Sequence, residues 1–311
     1  MSFQEHSIKY INSIYPPKIR RGDIVGIISP ASPVEKATLF PGLHILESAG
    51  FQVKLAPHVL AKKGYLAGDD QKRLDDFHDM FRNQSIKAIF CSRGGYGCMR
   101  LIDKIDYQLV RQNPKILVGY SDITALLMAI YKNTALVTLH APVVKDFILE
   151  KEENWKRLLE FILSPGPFDI SLKGGIIITN GKARGPLIGG NLSLICHILN
   201  TPYSPSFEGC VLFLEEYREP LYRIDRMLTY LIISQHLNKL AGIVIGDFED
   251  CGDQLKVNEL IREKLLPLSI PCATGLPVGH GSINQTLPIG ALAELDTDIM
   301  SLSILKPAIT V

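Results

Sequence analysis

The sequence predicts an α/β fold, with a doubly wound parallel sheet in its N-terminal half and a smaller second domain after it. Short apolar runs such as Ile24–Ile28 have the length of strands that are buried on both faces. Over roughly 150 residues these runs alternate with segments of helical spacing, which is the order of a parallel sheet with crossover helices. Beyond the proline- and glycine-rich segment Leu163–Phe168 the pattern changes, with short strands and only two helices that stand out.

The strands and helices predicted in the N-terminal half support this fold one by one. We divide the chain into a polar leader (1–20), an N-terminal domain (21–163), a linker (164–170) and a C-terminal domain (171–311). The predicted strands of the N-terminal domain are 24–28, 51–55, 88–91, 115–118 and 136–139, and its predicted helices are 37–49, 69–83, 99–105, 122–131 and 152–163. Pro41-Gly42 lies inside the first of these helices and argues against an unbroken helix there.

The C-terminal half shows a different pattern, typical of a smaller α/β or β-rich domain. Its predicted strands are 175–179, 183–187, 210–214, 242–246 and 302–305, and its predicted helices are 191–199 and 221–234.

Composition excludes several classes of protein. The 311 residues are 46% hydrophobic and 21% charged, and the net charge of +1 provides no electrostatic footprint for nucleic acid or for an anionic membrane. No secretory signal and no membrane span are expected. The six cysteines are scattered without the spacing of a zinc site, so we expect reduced cysteines, no metal, no cofactor and a cytoplasmic protein.

The loops that follow the predicted strands are the best candidates for a functional site. In a parallel sheet the ligand crevice lies beyond the carboxyl ends of the strands. Four loops meet this condition and should gather at one edge: 29–33, 92–97, 119–122 and 140–142.

Ser121 stands at the apex of a predicted strand, turn and helix, where many hydrolases hold a nucleophile. The helix that follows would aim its free N–H groups and its positive dipole end at the same place, which suits an oxyanion. The alternative is that Ser121 or Asp122 only caps the helix.

Two other segments have chemical content with alternatives of their own. The glycine-rich Ser92-Arg-Gly-Gly-Tyr-Gly97 could supply an oxyanion-hole donor, cradle a phosphate, or form a plain turn. Asn191 follows two glycines and is favoured as a helix cap, the alternative being a position facing the crevice.

An acid and a base for Ser121 are found only in the C-terminal half. Glu215 and Glu216 end an apolar run, where one carboxylate could orient a histidine; the alternative is a solvated strand end or a cap for the following helix. His280 lies between two glycines, an unusual setting for a core histidine, and a neutral imidazole is the usual base for a hydroxyl nucleophile. The alternative is an exposed loop histidine.

Taken together, these segments closely resemble the LD-carboxypeptidase family of serine peptidases, which includes muramoyl-tetrapeptide carboxypeptidases and microcin C self-immunity peptidases. The resemblance runs from Gly22 to about Asp296. Its segments are Gly22-Asp with Ser29-Pro, Ser92-Arg-Gly-Gly-Tyr-Gly97, Gly119-Tyr-Ser-Asp122, Gly189-Gly-Asn-Leu192, Leu214-Glu-Glu216, Glu219-Pro220, Asp225-Arg-Met-Leu228, and Gly279-His280 with Asn284 and Leu287-Pro288. The chain departs from the family at Ala141, where glycine is expected, and at Glu216, where aspartate is common.

The resemblance implies a site and an architecture. Ser121 matches the nucleophile, Glu215 the acid and His280 the base of a Ser-Glu-His triad. The oxyanion hole would use backbone N–H groups, which by position belong to Asp122 and to Gly94 or Gly95, and the expected substrate contacts are Arg93 and Asn191. The implied fold is a flavodoxin-like N-terminal domain with a smaller C-terminal domain of β-barrel character, usually as a homodimer.

The activity that the resemblance implies is release of the terminal D-alanine from murein tetrapeptides in the cytoplasm, during cell-wall recycling. One alternative is hydrolysis of a peptidyl-nucleotide antibiotic of the microcin C type by the same triad. Another is a non-catalytic module that binds a phosphate or nucleotide, which would not need His280.

Overall fold

Two β-sheets organise the chain. In the computed structural model, which describes residues 12–148 and 152–310, a six-stranded sheet comes mainly from the N-terminal half and an eight-stranded sheet from the C-terminal half. The predicted fold class, α/β with a parallel sheet and a second sheet in the C-terminal region, is confirmed.

The regular elements alternate as expected for this class. The strands are β1 (Ile24–Ile28), β2 (Gln52–Leu55), β3 (Ile86–Cys91), β4 (Ile116–Gly119), β5 (Thr138–His140), β6 (Phe168–Ser171), β7 (Ile177–Thr179), β8 (Lys182–Asn191), β9 (Val211–Tyr217), β10 (Gly242–Glu249), β11 (Cys272–Thr274), β12 (Leu287–Ile289), β13 (Leu292–Asp296) and β14 (Ser301–Ile304). The helices are α1 (Lys36–Ser48), α2 (Asp70–Arg82), α3 (Tyr107–Gln112), α4 (Ile123–Thr134), α5 (Glu152–Leu163), α6 (Leu192–Ile198), α7 (Leu221–Ile233) and α8 (Gln254–Leu265).

The first sheet has the order β12-β5-β4-β3-β1-β2, and its five N-terminal strands are mutually parallel. The sixth strand, β12, comes from far along the chain and pairs antiparallel with β5, where Leu287 stands opposite His140. The loop that carries His280 is therefore tied to the edge of the first sheet, although the sequence assigns it to the C-terminal domain.

The second sheet has the order β6-β14-β13-β8-β9-β10-β11-β7. Its central strands, β8 to β11, are parallel, and its flanking pairs are antiparallel. Asn191 at the end of β8 is in register with Glu215 near the end of β9, so carboxyl ends of parallel strands carry candidate residues in this sheet as well.

Helix α4 is the central packing element of the fold. Nearly all of its residues are buried, and it contacts β4 and β5 of the first sheet as well as β8 and α6. A helix that is apolar on every side is expected when it is enclosed by other elements. Its N-terminus is consequently enclosed where the two halves of the chain meet.

Several local predictions differ from the structure. The predicted helix 99–105 is only a 3₁₀ turn, Cys98–Arg100, and α3 begins afterwards, where the Asp106 side chain accepts a hydrogen bond from Leu109 N–H. Helix α1 continues through Pro41 without a break. Gly42 next to it allows close approach to a neighbouring segment, because a Cβ there would lie 2.2 Å from the Val144 carbonyl oxygen.

The N-terminal segment and the linker also differ from simple connectors. Residues 1–11 of the predicted leader lie outside the described residues. The remainder packs against the first sheet, where Ile14 forms a parallel bridge with Leu136 and Ile19 is buried. The predicted linker overlaps β6, which begins at Phe168.

Candidate active site

Ser121 occupies a strained turn between β4 and α4. Its φ of +62° lies in the left-handed region, which a residue other than glycine seldom adopts. The turn is tight, since a Cβ at Gly119 would lie 2.7 Å from a methyl carbon of Ile123. No side chain caps α4, and the Asp122 carboxylate instead accepts a hydrogen bond of 2.8 Å from Cys98 N–H. The helix-cap alternative for Ser121 and Asp122 is therefore wrong.

Two segments next to the Ser121 hydroxyl carry backbone N–H groups without a partner in the described structure. A Cβ placed on Gly94 would lie 2.8 Å from Ser121 Cβ and 3.1 Å from its Oγ, so the glycine-rich loop passes directly against the serine. Within the described part of the chain, the N–H groups of Gly94, Gly95 and Asp122 have no hydrogen-bond acceptor. This arrangement could stabilise an oxyanion.

His280 is oriented by strand β9. Side chains alternate along a strand, so Phe213, Glu215 and Tyr217 share one face. Glu215 is fully buried, and its Oε2 lies 2.8 Å from His280 Nδ1. The ring of Tyr217 stacks on the imidazole with a centroid distance of 4.6 Å and an interplanar angle of 3°. One face of β9 thus sets both the tautomer and the plane of His280.

The Glu216 side chain lies on the opposite face of β9, where its carboxylate is hydrogen-bonded to several donors. Its carboxylate accepts hydrogen bonds from Asn191 Nδ2 (2.8 Å), from Ser193 N–H (2.9 Å) and Oγ (2.7 Å), and from Tyr217 N–H (2.9 Å). Burial raises the pKa of Glu216 in spite of these donors. Asn191 also caps α6, as favoured from the sequence, by accepting from Leu194 N–H.

The electrostatics of His280 favour its charged form. Burial disfavours the imidazolium, but the charge and hydrogen bond of Glu215, helped by Glu216 and Asp146, outweigh burial and raise the pKa of His280. The loop around it needs glycine, because Gly279 has a φ of +134° and a Cβ there would lie 3.1 Å from Glu215 Oε2.

A cavity of about 360 Å³ brings the candidate residues together. Its wall includes every predicted site residue except Asp122 and Glu215: Arg93, Gly94, Gly95, Ser121, Asn191 and His280. Asp122 and Glu215 lie immediately behind the wall, next to Ser121 and His280 respectively. No hydrogen bond joins Ser121 to His280 in the described structure, although both side chains face the same space.

Some charged side chains of the cavity have a partner of opposite charge, and others do not. Lys145 Nζ lies 2.8 Å from Asp146 Oδ1, and Tyr120 O–H donates to Asp146 Oδ2 at 2.8 Å. Arg93 donates to the Pro33 carbonyl oxygen at 2.9 Å and has no acidic partner among residues 12–148 and 152–310. An anionic ligand would therefore find Arg93 available.

Sequence reasoning missed Tyr120, Lys145, Asp146 and Tyr217. Tyr217 could have been found only by extending the predicted strand 210–214 to the end of β9, where Tyr217 follows Glu215 by two residues. Lys145 and Asp146 lie in a 3₁₀ segment that has no periodic signal, so nothing in the sequence placed them at the cavity.

Comparison with known proteins decides the family. The LD-carboxypeptidase N-terminal domain matches residues 25–141, and the LD-carboxypeptidase C-terminal domain matches residues 184–295. The chain belongs to the LD-carboxypeptidase family. The resemblance seen in the sequence is confirmed, and with it the enzyme class, a serine-type LD-carboxypeptidase.

Relatives of this LD-carboxypeptidase match over nearly their whole length. A "Probable murein peptide carboxypeptidase" of Bacillus subtilis is 39% identical over 295 residues, covering 91% of this chain and 92% of that protein. The murein tetrapeptide carboxypeptidase of Pseudomonas aeruginosa is 33% identical, with 88% and 92% covered. The crystal structure of an MccF-like protein from Bacillus anthracis superposes with a TM-score of 0.88 at 30% identity, covering 94% of this chain and all of that one.

A helix needs about 20 consecutive, mostly apolar residues to span a membrane. Among the described residues, no helix is both long enough and apolar enough to cross a bilayer.

Proposed function

We propose that this LD-carboxypeptidase releases the terminal D-alanine from murein tetrapeptides in the cytoplasm, using Ser121 as nucleophile, His280 as base and Glu215 as the acid of the triad. The observation that carries the proposal is the 2.8 Å contact between His280 Nδ1 and buried Glu215, with His280 and Ser121 facing one cavity. The names of the relatives from Bacillus subtilis and Pseudomonas aeruginosa support murein peptides as the substrate class.

The first half of the reaction forms an acyl-enzyme. With Nδ1–H donated to Glu215, His280 Nε2 is the basic nitrogen, and it takes the proton of Ser121 as Oγ attacks the carbonyl carbon of the L-D peptide bond. The N–H groups of Gly94 or Gly95 and of Asp122 stabilise the oxyanion, each donor contributing about 3–4 kcal/mol in comparable sites. His280 then protonates the leaving nitrogen, the C–N bond breaks, and D-alanine departs as the free amino acid.

The second half restores the enzyme. Water attacks the ester carbonyl while His280 takes its proton, and the C–O bond to Ser121 breaks as His280 returns that proton to Oγ. The product is the shortened peptide with a new carboxylate. In both halves Glu215 holds the imidazole and stabilises its charged form.

Removal of only the last residue requires recognition of the substrate's terminal carboxylate. Arg93 is well suited to this role, because it lines the cavity, adjoins Gly94 and has no acidic partner in the described chain. Asn191 contributes differently. Its amide is oriented by Glu216 and by α6, and the second N–H of Nδ2 would bind a substrate oxygen in the cavity that Asn191 lines.

Mass spectrometry of purified tetrapeptide before and after incubation tests the proposal. Wild-type enzyme should remove one alanine, whereas Ser121→Ala should release none while keeping the wild-type circular dichroism spectrum. Two matched substrates sharpen the assay, namely the same peptide ending in L-alanine and the D-alanine peptide as its C-terminal amide. Both should be poor substrates. Unchanged release by Ser121→Ala, or no release by the wild type, would overturn the assignment.

A further inference from the structure

Three buried polar side chains, His140, Glu215 and Asn284, form a cluster beside His280 that we call the polar pocket. His140, Glu215 and Asn284 have no exposed surface. Both ring nitrogens of His140, Oε1 of Glu215 and Nδ2 of Asn284 lack any hydrogen-bond partner within the described residues. Buried polar atoms are nearly always satisfied by protein or by ordered water, so this concentration of unsatisfied atoms beside a proposed catalytic acid needs an explanation.

His140 is close to both halves of the candidate site. It ends β5 and stands in register with Gly119, just before the Ser121 turn. Its ring lies 5.1 Å from that of Phe213 and 5.9 Å from that of Tyr120, measured between centroids. Because Phe213 and Glu215 share one face of β9, the His140 ring lies on the same side of the strand as the Glu215 carboxylate.

Asn284 reaches the pocket from the His280 loop. Its Oδ1 accepts a hydrogen bond of 3.3 Å from Gly279 N–H. Gly279 is itself adjacent to the acid, since a Cβ there would lie 3.1 Å from Glu215 Oε2. The amide nitrogen of Asn284 is thus buried without a partner on a residue that is hydrogen-bonded to the neighbour of Glu215.

The hydrogen-bonding chemistry of the pocket is complementary. Burial lowers the pKa of His140 to about 4, so near pH 7 the ring is neutral and offers one donor and one acceptor. Asn284 Nδ2 offers donors, and Glu215 Oε1 is an acceptor. A water molecule, which both donates and accepts, could satisfy all three groups at once.

We propose that His140 and Asn284 hold a buried water that donates to Glu215 Oε1, and that this water fixes the carboxylate with Oε2 towards His280. His140 and Asn284 are positioning residues in this account, because they act on the reaction only through Glu215. The inference depends on the proposed triad, in which Glu215 orients the base.

Kinetics of His140 variants test this role. His140→Phe fills the space without polar atoms and should lower kcat for D-alanine release by about 10- to 100-fold with little change in KM. His140→Gln retains a donor and an acceptor and should recover part of the loss. In a Glu215→Gln background, His140→Phe should cause almost no additional loss, since the group that it positions is already gone.

A matched control separates positioning from general damage. Like His140→Phe, Thr179→Val removes a buried polar group that has no partner, in this case a hydroxyl. Thr179 lies on β7 at the far edge of the second sheet, so this variant should keep the wild-type kcat. Wild-type kcat in His140→Phe, or equal losses in the wild-type and Glu215→Gln backgrounds, would overturn the inference while leaving the proposed function intact.

A crystal structure of the wild-type protein decides the matter independently of folding or activity. At a resolution that orders internal waters, density should appear within hydrogen-bond distance of Glu215 Oε1 and of a ring nitrogen of His140. A dry pocket, or a direct bond from His140 to Glu215, would contradict the proposal even if the wild type releases D-alanine.

Discussion

At the scale of single residues, two neighbouring carboxylates have opposite surroundings because strand β9 alternates its faces. Glu215 contacts His280, whereas Glu216 is saturated by Asn191, Ser193 and its own neighbour. The sequence brings the two acids to one strand end, and family resemblance favours the first of them. Only the direction of each side chain shows which one reaches the imidazole.

The two acids should therefore respond differently to the same substitution. Glu215→Gln should lower kcat by roughly 10⁴-fold, since the amide cannot support the imidazolium or hold its tautomer. Glu216→Gln leaves buried donors without an acceptor and should cost about 1–3 kcal/mol in the free energy of unfolding, with a much smaller loss of kcat. Urea denaturation and steady-state kinetics on both variants measure this contrast. Equal kcat losses would contradict it.

The raised pKa of His280 predicts a particular pH dependence. Only neutral imidazole can accept the Ser121 proton, so kcat/KM should fall as pH falls through a pKa above the usual 6.5. Glu215→Gln removes the opposing charge while burial remains, so the pKa of His280 should move to a lower value. Nitrogen-15 NMR titration of the imidazole in both proteins reports this shift directly. A pKa that stays in place would show that Glu215 does not set it.

At the scale of elements, the glycine-rich loop after β3 lies so close to its neighbours that side chains would not fit. Gly94 is pressed against Ser121, and Gly95 against Ser32, where a Cβ would lie 2.4 Å from the hydroxyl oxygen. At Gly94 only glycine fits, because a side chain would clash. At Gly95 a side chain would clash too, and the φ of +109° is one that other residues rarely adopt. The motif was visible in the sequence, but the neighbour that requires it was not.

A methyl group at Gly94 should damage the site more than the fold. Gly94→Ala would push on Ser121 Cβ and Oγ and should lower kcat/KM by about 10²-fold, as expected for a displacement on the ångström scale. Gly166→Ala is the matched control, because nothing lies within 4 Å of a Cβ there, and its kcat/KM should equal that of the wild type. Equal activity in the two variants would argue against an oxyanion role for this loop.

The elements themselves were predictable to different degrees. Buried apolar runs identified β1 and β4, because parallel strands covered on both faces have that character. Strand β12 was missed, since three residues with a central proline carry no periodic signal and pair only at an edge. Helix α8 was missed although the Asp253 side chain caps it. Its apolar face is narrow, and its polar residues do not stand out from those of the preceding loop.

At the scale of the whole molecule, the proposed site exists only where the two sheets meet. Ser121 comes from the end of β4, whereas Glu215 comes from β9, and His280 lies in a loop that β12 fastens to the first sheet. Sequence analysis could name these residues by type, but the closure of one half over the other depends on long-range pairing that no local pattern encodes.

The homodimer implied by the family resemblance stays a prediction. Light scattering after size-exclusion chromatography should give a mass near twice the 34.5 kDa of the chain. A mass equal to that of one chain would remove the homodimer from the account.

The most direct test of the central claim is a double-mutant cycle between the two halves of the site. We predict that Ser121→Ala and His280→Ala each lower kcat/KM for D-alanine release by at least about 10⁴-fold, and that the double variant is no worse than either one. Such non-additivity is expected only if the two residues act as one unit. Losses that multiply, or turnover retained in either single variant, would contradict a Ser121–His280 mechanism.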